Sequence, residues 1–175
     1  MAALRMAFIV TLILLALGLV VMMFIPTEVE VSRSVEIEAP VEKIYPYLSD
    51  LRQWQHWTPW SKQRYPELVQ EFAGSPQGEG AELRWKGPEL GDGWLKITDA
   101  DPAAGIRYEL RSLSGKVRFQ GEIRTTRGAE GAVVVTWNDV GDLGFFGPLF
   151  KGTIATEIGK DFDRALKQLK RLCES

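Results

Sequence analysis

One stretch near the end of the chain limits the fold more than any other. Between residues 147 and 173, plotted at 100° per residue, Ile154, Ala155, Ile158, Gly159, Phe162, Ala165, Leu166, Leu169, Leu172 and Cys173 share one arc with Phe150. Thr156, Glu157, Lys160, Asp163, Arg164, Lys167 and Arg171 lie on the other side. Such a pattern predicts a long helix that must bury a single face. Pro148, with its fixed φ and missing donor, suits the helix start. The face has to meet a sheet, because almost everything before it alternates with a period of two. Val29, Val31, Arg33, Val35 and Ile37 point one way and Glu28, Glu30, Ser32, Ser34 and Glu36 the other. Similar segments recur at 68–73, 82–86, 94–99, 106–113, 116–127 and 132–140, separated by Gly-, Pro- and Asp-rich turns. One apolar and one wet face per strand is the pattern of an antiparallel sheet with one covered side.

Between the first strand and the second, Pro40 can open a short helix that Pro46 bends or ends. Asp50 can cap another short helix carrying Trp54. The order strand, two short helices, six strands, long helix is most simply satisfied by an α+β domain. In it a curved antiparallel sheet of about seven strands wraps the last helix, and a hollow can remain between the two.

Residues 7–25 are nineteen positions without a charge. At 1.5 Å per residue they would span about 28 Å, close to the ~30 Å apolar core of a bilayer. They predict an uncleaved transmembrane helix within residues 1–26, ahead of a domain over residues 27–175. A cleaved signal peptide is the competing reading, but no small-x-small cleavage site follows the apolar run. Arg5 before the run and Glu28 and Glu30 after it favour a single-pass protein whose domain is extracytoplasmic, periplasmic in a bacterium. The net charge of −2, with no run of Lys or Arg, excludes a phosphate-tracking surface and so argues against nucleic acid. His56 is the sole histidine and Cys173 the sole cysteine, too few ligands for a metal site, and no cofactor is expected.

Several ordered pieces resemble the SRPBCC superfamily, also called START-like or polyketide cyclase/dehydrase-like, whose fold is the helix-grip. They are Arg33-Ser34-x-x-Ile37-x-Ala39-Pro40, Asp50-x-x-x-Trp54-x-x-Trp57-x-Pro59-Trp60, Gly78-x-Gly80-Ala81-x-x-x-Trp85-x-Gly87, Gly91-x-Gly93-x-x-x-Ile97, Val135-Thr136-Trp137, and Gly159-Lys160-Asp161-Phe162-x-x-x-Leu166-x-x-Leu169-Lys170. The resemblance implies a cavity for a hydrophobic or amphipathic small molecule, possible lipid included. It supplies no catalytic motif, since fold does not settle function.

The expected ligand contacts follow from the pattern. Trp54, Trp57 and Trp60 line the mouth of the hollow, dip into the membrane interface or, most plainly, plug one end of the core. Trp85, Tyr108, Phe119 and Trp137 fall on the inner face of the sheet, core residues first and ligand contacts if space remains. Lys151, Ile154 and Ile158 come from the helix. Lys151 would meet an anionic head group or lie with its charge at the rim. Asp139 and Asp142 read as turn-capping residues. Two other readings stand beside ligand binding. One is a cyclase- or dehydratase-type enzyme in which His56, Asp139 or Tyr108 moves protons, and the other is a cavity-free module that binds a partner.

Overall fold

The alternating segments form strands. The computed structural model describes residues 2–22, 24–112, 117–144 and 147–175. Its strands are β1 (Glu28–Ile37), β2 (Val69–Gly74), β3 (Ala81–Lys86), β4 (Gly93–Asp101), β5 (Gly105–Ser112), β6 (Val117–Arg127) and β7 (Val133–Asp142). They make a single antiparallel sheet in the order β1-β7-β6-β5-β4-β3-β2. Helices α1 (Ala2–Met22), α2 (Val41–Ser49), α3 (Trp54–Trp57) and α4 (Gly147–Glu174) complete the chain. The α+β helix-grip arrangement is the one that the sequence predicts. Strands β2 to β7 are sequential neighbours, so their pairings are short-range hairpins. Only β1 crosses the molecule, to pair with β7 from Glu28↔Asp142 to Ile37↔Val133.

Helix α2 runs on through Pro46, the residue expected to bend or end it, and stops three residues later at Ser49. The missing N–H costs the helix one hydrogen bond. Burial of Ile44 and Leu48, both at 0% exposure, outweighs that loss. Asp50 then turns the chain, its Oδ1 accepting from the Arg52 backbone N–H at 2.9 Å.

Helix α4 is buried unevenly, and this sets the site. In its C-terminal half Phe162, Ala165, Leu166, Leu169 and Cys173 are all buried, chiefly against β1. In its N-terminal half Ile154, Ala155 and Ile158 are only half-buried and Phe150 is 57% exposed. The helix therefore grips the sheet at one end and stands off it at the other. Gly159 marks the changeover: a Cβ there would collide with the Arg33 guanidinium, which passes beneath the helix. Arg33 Nε then reaches Asp163 Oδ2 at 3.3 Å, one turn further along α4. The room at Gly159 thus serves Arg33, the one charge on the apolar side of β1.

The membrane-spanning helix is a correction of a different kind. Among the described residues no helix is long and apolar enough to cross a membrane. Helix α1 does form, but it carries Arg5 near its start and ends at Met22, before the apolar run does. Its uncharged part, residues 6–22, is about 25 Å long at 1.5 Å per residue, short of the ~30 Å apolar core of a bilayer. The expected single-pass topology, the membrane as a partner and the extracytoplasmic placement of the domain fall with it.

Candidate functional site

The inner face of the sheet repeats one local device, an aromatic ring laid flat across a glycine on the next strand. Trp85 pairs with Gly93, and Phe119 with Gly141. Tyr108 pairs with Gly121. A Cβ on any of the three glycines would fall within the ring beside it. Rings that stand up from a sheet fill the space above it, whereas rings that lie along it leave that space open. Together with the raised N-terminal half of α4, this preserves a hollow.

The hollow is a partly open cavity of about 170 Å³. Its floor is the sheet, with Leu83, Trp85, Leu95, Leu110 and Phe119. Ile158 and Phe162 of α4 form the roof, and Trp54, Trp60, Leu68 and Leu90 close the sides. Apart from the indole N–H groups, of which Trp85 Nε1 is buried without a hydrogen-bond partner, only Gln70, Ser112 and Asp139 among the described lining residues bring polar side chains. Gln70 already donates to the Trp60 carbonyl at 3.3 Å. An apolar void of ~150 Å³ stays dry and takes a benzene-sized guest, whereas sites for drug-sized ligands run to ~300–1,000 Å³. This one has room for about one ring or a short alkyl segment.

Asp139 is the exception in that wall. It sits on β7 in register with Gly121 of β6, which is in register with Tyr108 of β5. Because Gly121 has no side chain, the Tyr108 ring crosses β6 and its hydroxyl donates to Asp139 Oδ1 at 2.6 Å. Trp137 Nε1 in turn donates to the Tyr108 oxygen at 2.7 Å. All three residues are buried, at 4% exposure or less. Burial raises the Asp139 carboxyl to about 7, because the ionised form loses its water and gains no cation; Tyr108 and Trp137 pull the other way. The Tyr108 hydroxyl is driven well above its ordinary range by the same desolvation and by the neighbouring carboxylate.

Behind this relay lies an aromatic block. Trp137 stacks on Phe162 with centroids 4.1 Å apart and meets Trp57 at 5.3 Å. Trp54 packs edge-on against Tyr108 at 5.6 Å. The indoles of Trp54 and Trp57 donate to the carbonyls of Leu48 and Tyr47, tying α3 to α2.

Of the expected contact residues, the cavity brings together Trp54, Trp60, Trp85, Phe119 and Ile158. Trp57, Tyr108 and Trp137 are core behind the wall. Lys151 and Ile154 are half-buried on α4 and are not among the lining residues. His56 is exposed and also outside the lining. Asp139 corrects the reading as a turn cap: it lies within a strand, buried and facing the cavity. Its parity with Val133, Val135 and Trp137 was the available signal. Asp142 does act at a turn, its Oδ1 accepting from the Gly144 N–H at 2.8 Å.

Among proteins of curated function no sequence matches the chain. Solved structures match the fold alone, at low identity. DynU16, from the dynemicin biosynthetic locus, superposes with a TM-score of 0.59 at 18% identity, over 83% of this chain and 47% of its own. The present chain thus spans about half the length of DynU16. A hypothetical protein of Helicobacter pylori gives 0.63 at 8% identity, over 82% and 87% of the two chains. Norcoclaurine synthase from Thalictrum flavum, in complex with dopamine and hydroxybenzaldehyde, gives 0.61 at 14% identity over 83% and 86%. Residues 28–174, which hold all seven strands and α4, match the family model described as polyketide cyclase / dehydrase and lipid transport, and the chain belongs to that family.

Proposed function

We propose that the domain binds a small hydrophobic molecule, about one ring in size, in the cavity between the sheet and the N-terminal half of α4. The observation that carries this reading is the cavity itself, about 170 Å³ of largely apolar lining with one buried carboxyl in its wall. Burying a ring there removes apolar surface from water on both sides, at roughly 25 cal/mol per Å². Trp54, Trp60, Trp85, Phe119 and Ile158 are the contacts this reading keeps from the sequence. Leu83, Leu95, Leu110 and Phe162 join them. The volume suits one end of an acyl chain but not a whole diacyl lipid. The norcoclaurine synthase relative holds single-ring compounds in the same fold, which supports a guest of this size.

A second reading, a cyclase- or dehydratase-type enzyme, is favoured by Asp139 alone. Its carboxyl, held at about 7, could give or take a proton on a bound molecule near neutral pH. Tyr108 is a positioning residue in that reading, because its hydroxyl is spent on Asp139. The remaining reading, a module without a cavity, lacks its premise, since the interior holds one.

The test is a titration with indane, a benzene ring fused to a five-membered ring and without polar atoms, followed by tryptophan fluorescence. Saturable one-to-one binding is expected. Ile158→Trp, which fills the roof from the half-buried side of α4, should weaken it at least about tenfold with little change in melting temperature. Non-saturable binding, or equal affinity in the two proteins, would exclude the cavity as the site.

A further inference from the structure

We propose that the molecule held in this cavity is neutral and carries a hydrogen-bond acceptor of the ketone type, to which the protonated Asp139 carboxyl donates through Oδ2. The proposal deepens the binding reading above and rests on it.

With every donor paired, the relay behind Asp139 runs in one direction. An indole nitrogen can donate but not accept, so Trp137 Nε1 gives its proton to the Tyr108 oxygen. The single hydroxyl proton of Tyr108 is then directed to Asp139 Oδ1. That oxygen is an acceptor whether or not the carboxyl is ionised, and when a proton is present it resides on Oδ2. The hydrogen bond from Tyr108 engages Oδ1, and the nearby Trp137 N–H also favours the carboxylate, while none of the described side-chain hydrogen bonds ends on Oδ2, although Asp139 lines the cavity. The proton-bearing oxygen is therefore the one left over for a guest.

The surroundings decide which form of the carboxyl a guest meets. Facing Asp139 are Val31 from β1, Tyr108 and Leu110 from β5, Phe119 and Gly121 from β6, Trp54 from α3, and Ile158 and Phe162 from α4. None of these carries a charge, and among the described lining residues Asp139 is the only carboxylate, with no cation. A guest that displaces water strips the carboxylate of its remaining solvation, which favours the neutral acid. A neutral acid in an apolar site is a hydrogen-bond donor. A guest with no acceptor would leave that O–H unpaired, whereas a carbonyl satisfies it.

Three probes of one shape test this: 1-indanone with a carbonyl, indane without one, and 1-aminoindane as a cation. Each is titrated into the full chain at roughly pH 5.5 and roughly pH 8.5, on either side of the carboxyl's transition. Wild-type protein should bind 1-indanone about tenfold more tightly than indane at the lower pH. It should lose at least about tenfold of that affinity at the higher one. Asp139→Asn keeps a donor that cannot ionise, so its affinity for 1-indanone should not vary between the two. Tyr108→Phe removes a hydrogen bond that favours the carboxylate, so it should extend tight 1-indanone binding to higher pH. Equal affinity for 1-indanone and indane, or tightest binding of 1-aminoindane at the higher pH, would overturn the proposal and leave the cavity reading standing. Unchanged pH dependence in Asp139→Asn would do the same. Binding of none of the three would overturn both.

Discussion

Gly121→Ala is expected to destabilise the domain by about 3 kcal/mol or more, a large effect for one added methyl group. The added carbon would fall within the Tyr108 ring, which lies flat across Gly121 on its way from β5 to β7. Neither partner can yield cheaply. The ring is buried at 1% exposure and wedged edge-on against Trp54, and the backbone of β6 is paired on both sides. Pushing Tyr108 aside breaks its hydrogen bond to Asp139 and leaves the Trp137 N–H and the carboxyl without partners, at ~1–3 kcal/mol each. Gly152→Ala is the matched control. Nothing lies within 4 Å of its added carbon, and it sits inside α4, so it should gain about 0.5–1 kcal/mol from helix propensity. Urea denaturation at constant slope measures both. The mechanism is checked by the double variant Gly121→Ala/Tyr108→Ala. With the ring gone, the alanine at 121 should cost almost nothing further, a strong non-additivity. Additive losses would show that the ring is not what Gly121 accommodates.

The second large effect is a stability that falls as pH rises through the acid-to-neutral range. Asp139 titrates at about 7 in the folded protein against 3.8 for an ordinary Asp. Between those values the folded state keeps the proton and the unfolded chain releases it, so raising the pH favours unfolding. About three pKa units at 1.36 kcal/mol each amount to a loss of roughly 4 kcal/mol from pH 4 to pH 7, levelling off above that. Glu82, Asp142 and Glu174 are shifted the other way, each held below its ordinary value by hydrogen bonds. Their contribution is present above the unfolded values and is lost as pH falls further, but all three are near the surface, where solvent screens it. The stability maximum should therefore lie near pH 4–5, below the usual ~5–8. Asp139→Asn retains an acceptor for the Tyr108 hydroxyl and has nothing to ionise, so the slope between pH 4 and 7 should vanish. Thermal melts of both proteins across that interval decide it. A wild-type profile that rises toward pH 7 would mean that the carboxyl is not buried as described.

Much of this architecture was legible because its periods are simple. Alternation placed every strand within a few residues, and the single apolar arc located α4. The site was less legible, for reasons that lie in distance along the chain. Trp137-Asn138-Asp139-Val140-Gly141-Asp142 has the composition of a turn, and two polar residues in succession hide the parity that turns Asp139 inward. Nothing local shows that Tyr108, Gly121 and Asp139 share one row, since that depends on the registers of β5, β6 and β7. Lys151 and Ile154 lie on the correct arc of α4, but on the part that stands off the sheet. How deeply each end of a helix settles is decided by tertiary packing, which the helix's own sequence does not carry. The apolar run near the N-terminus shows the converse, since composition described a span that the helix itself does not reach.

The binding account depends on the hollow beneath α4 being able to admit a guest. The most direct measurement is a crystal of the complex with 5-bromo-1-indanone, in which bromine is located by anomalous scattering. A peak enclosed by Leu83, Leu110 and Phe162, with the ketone oxygen at Asp139, is the predicted result. Bromine found only on the surface, above an interior closed by the surrounding side chains, would contradict it.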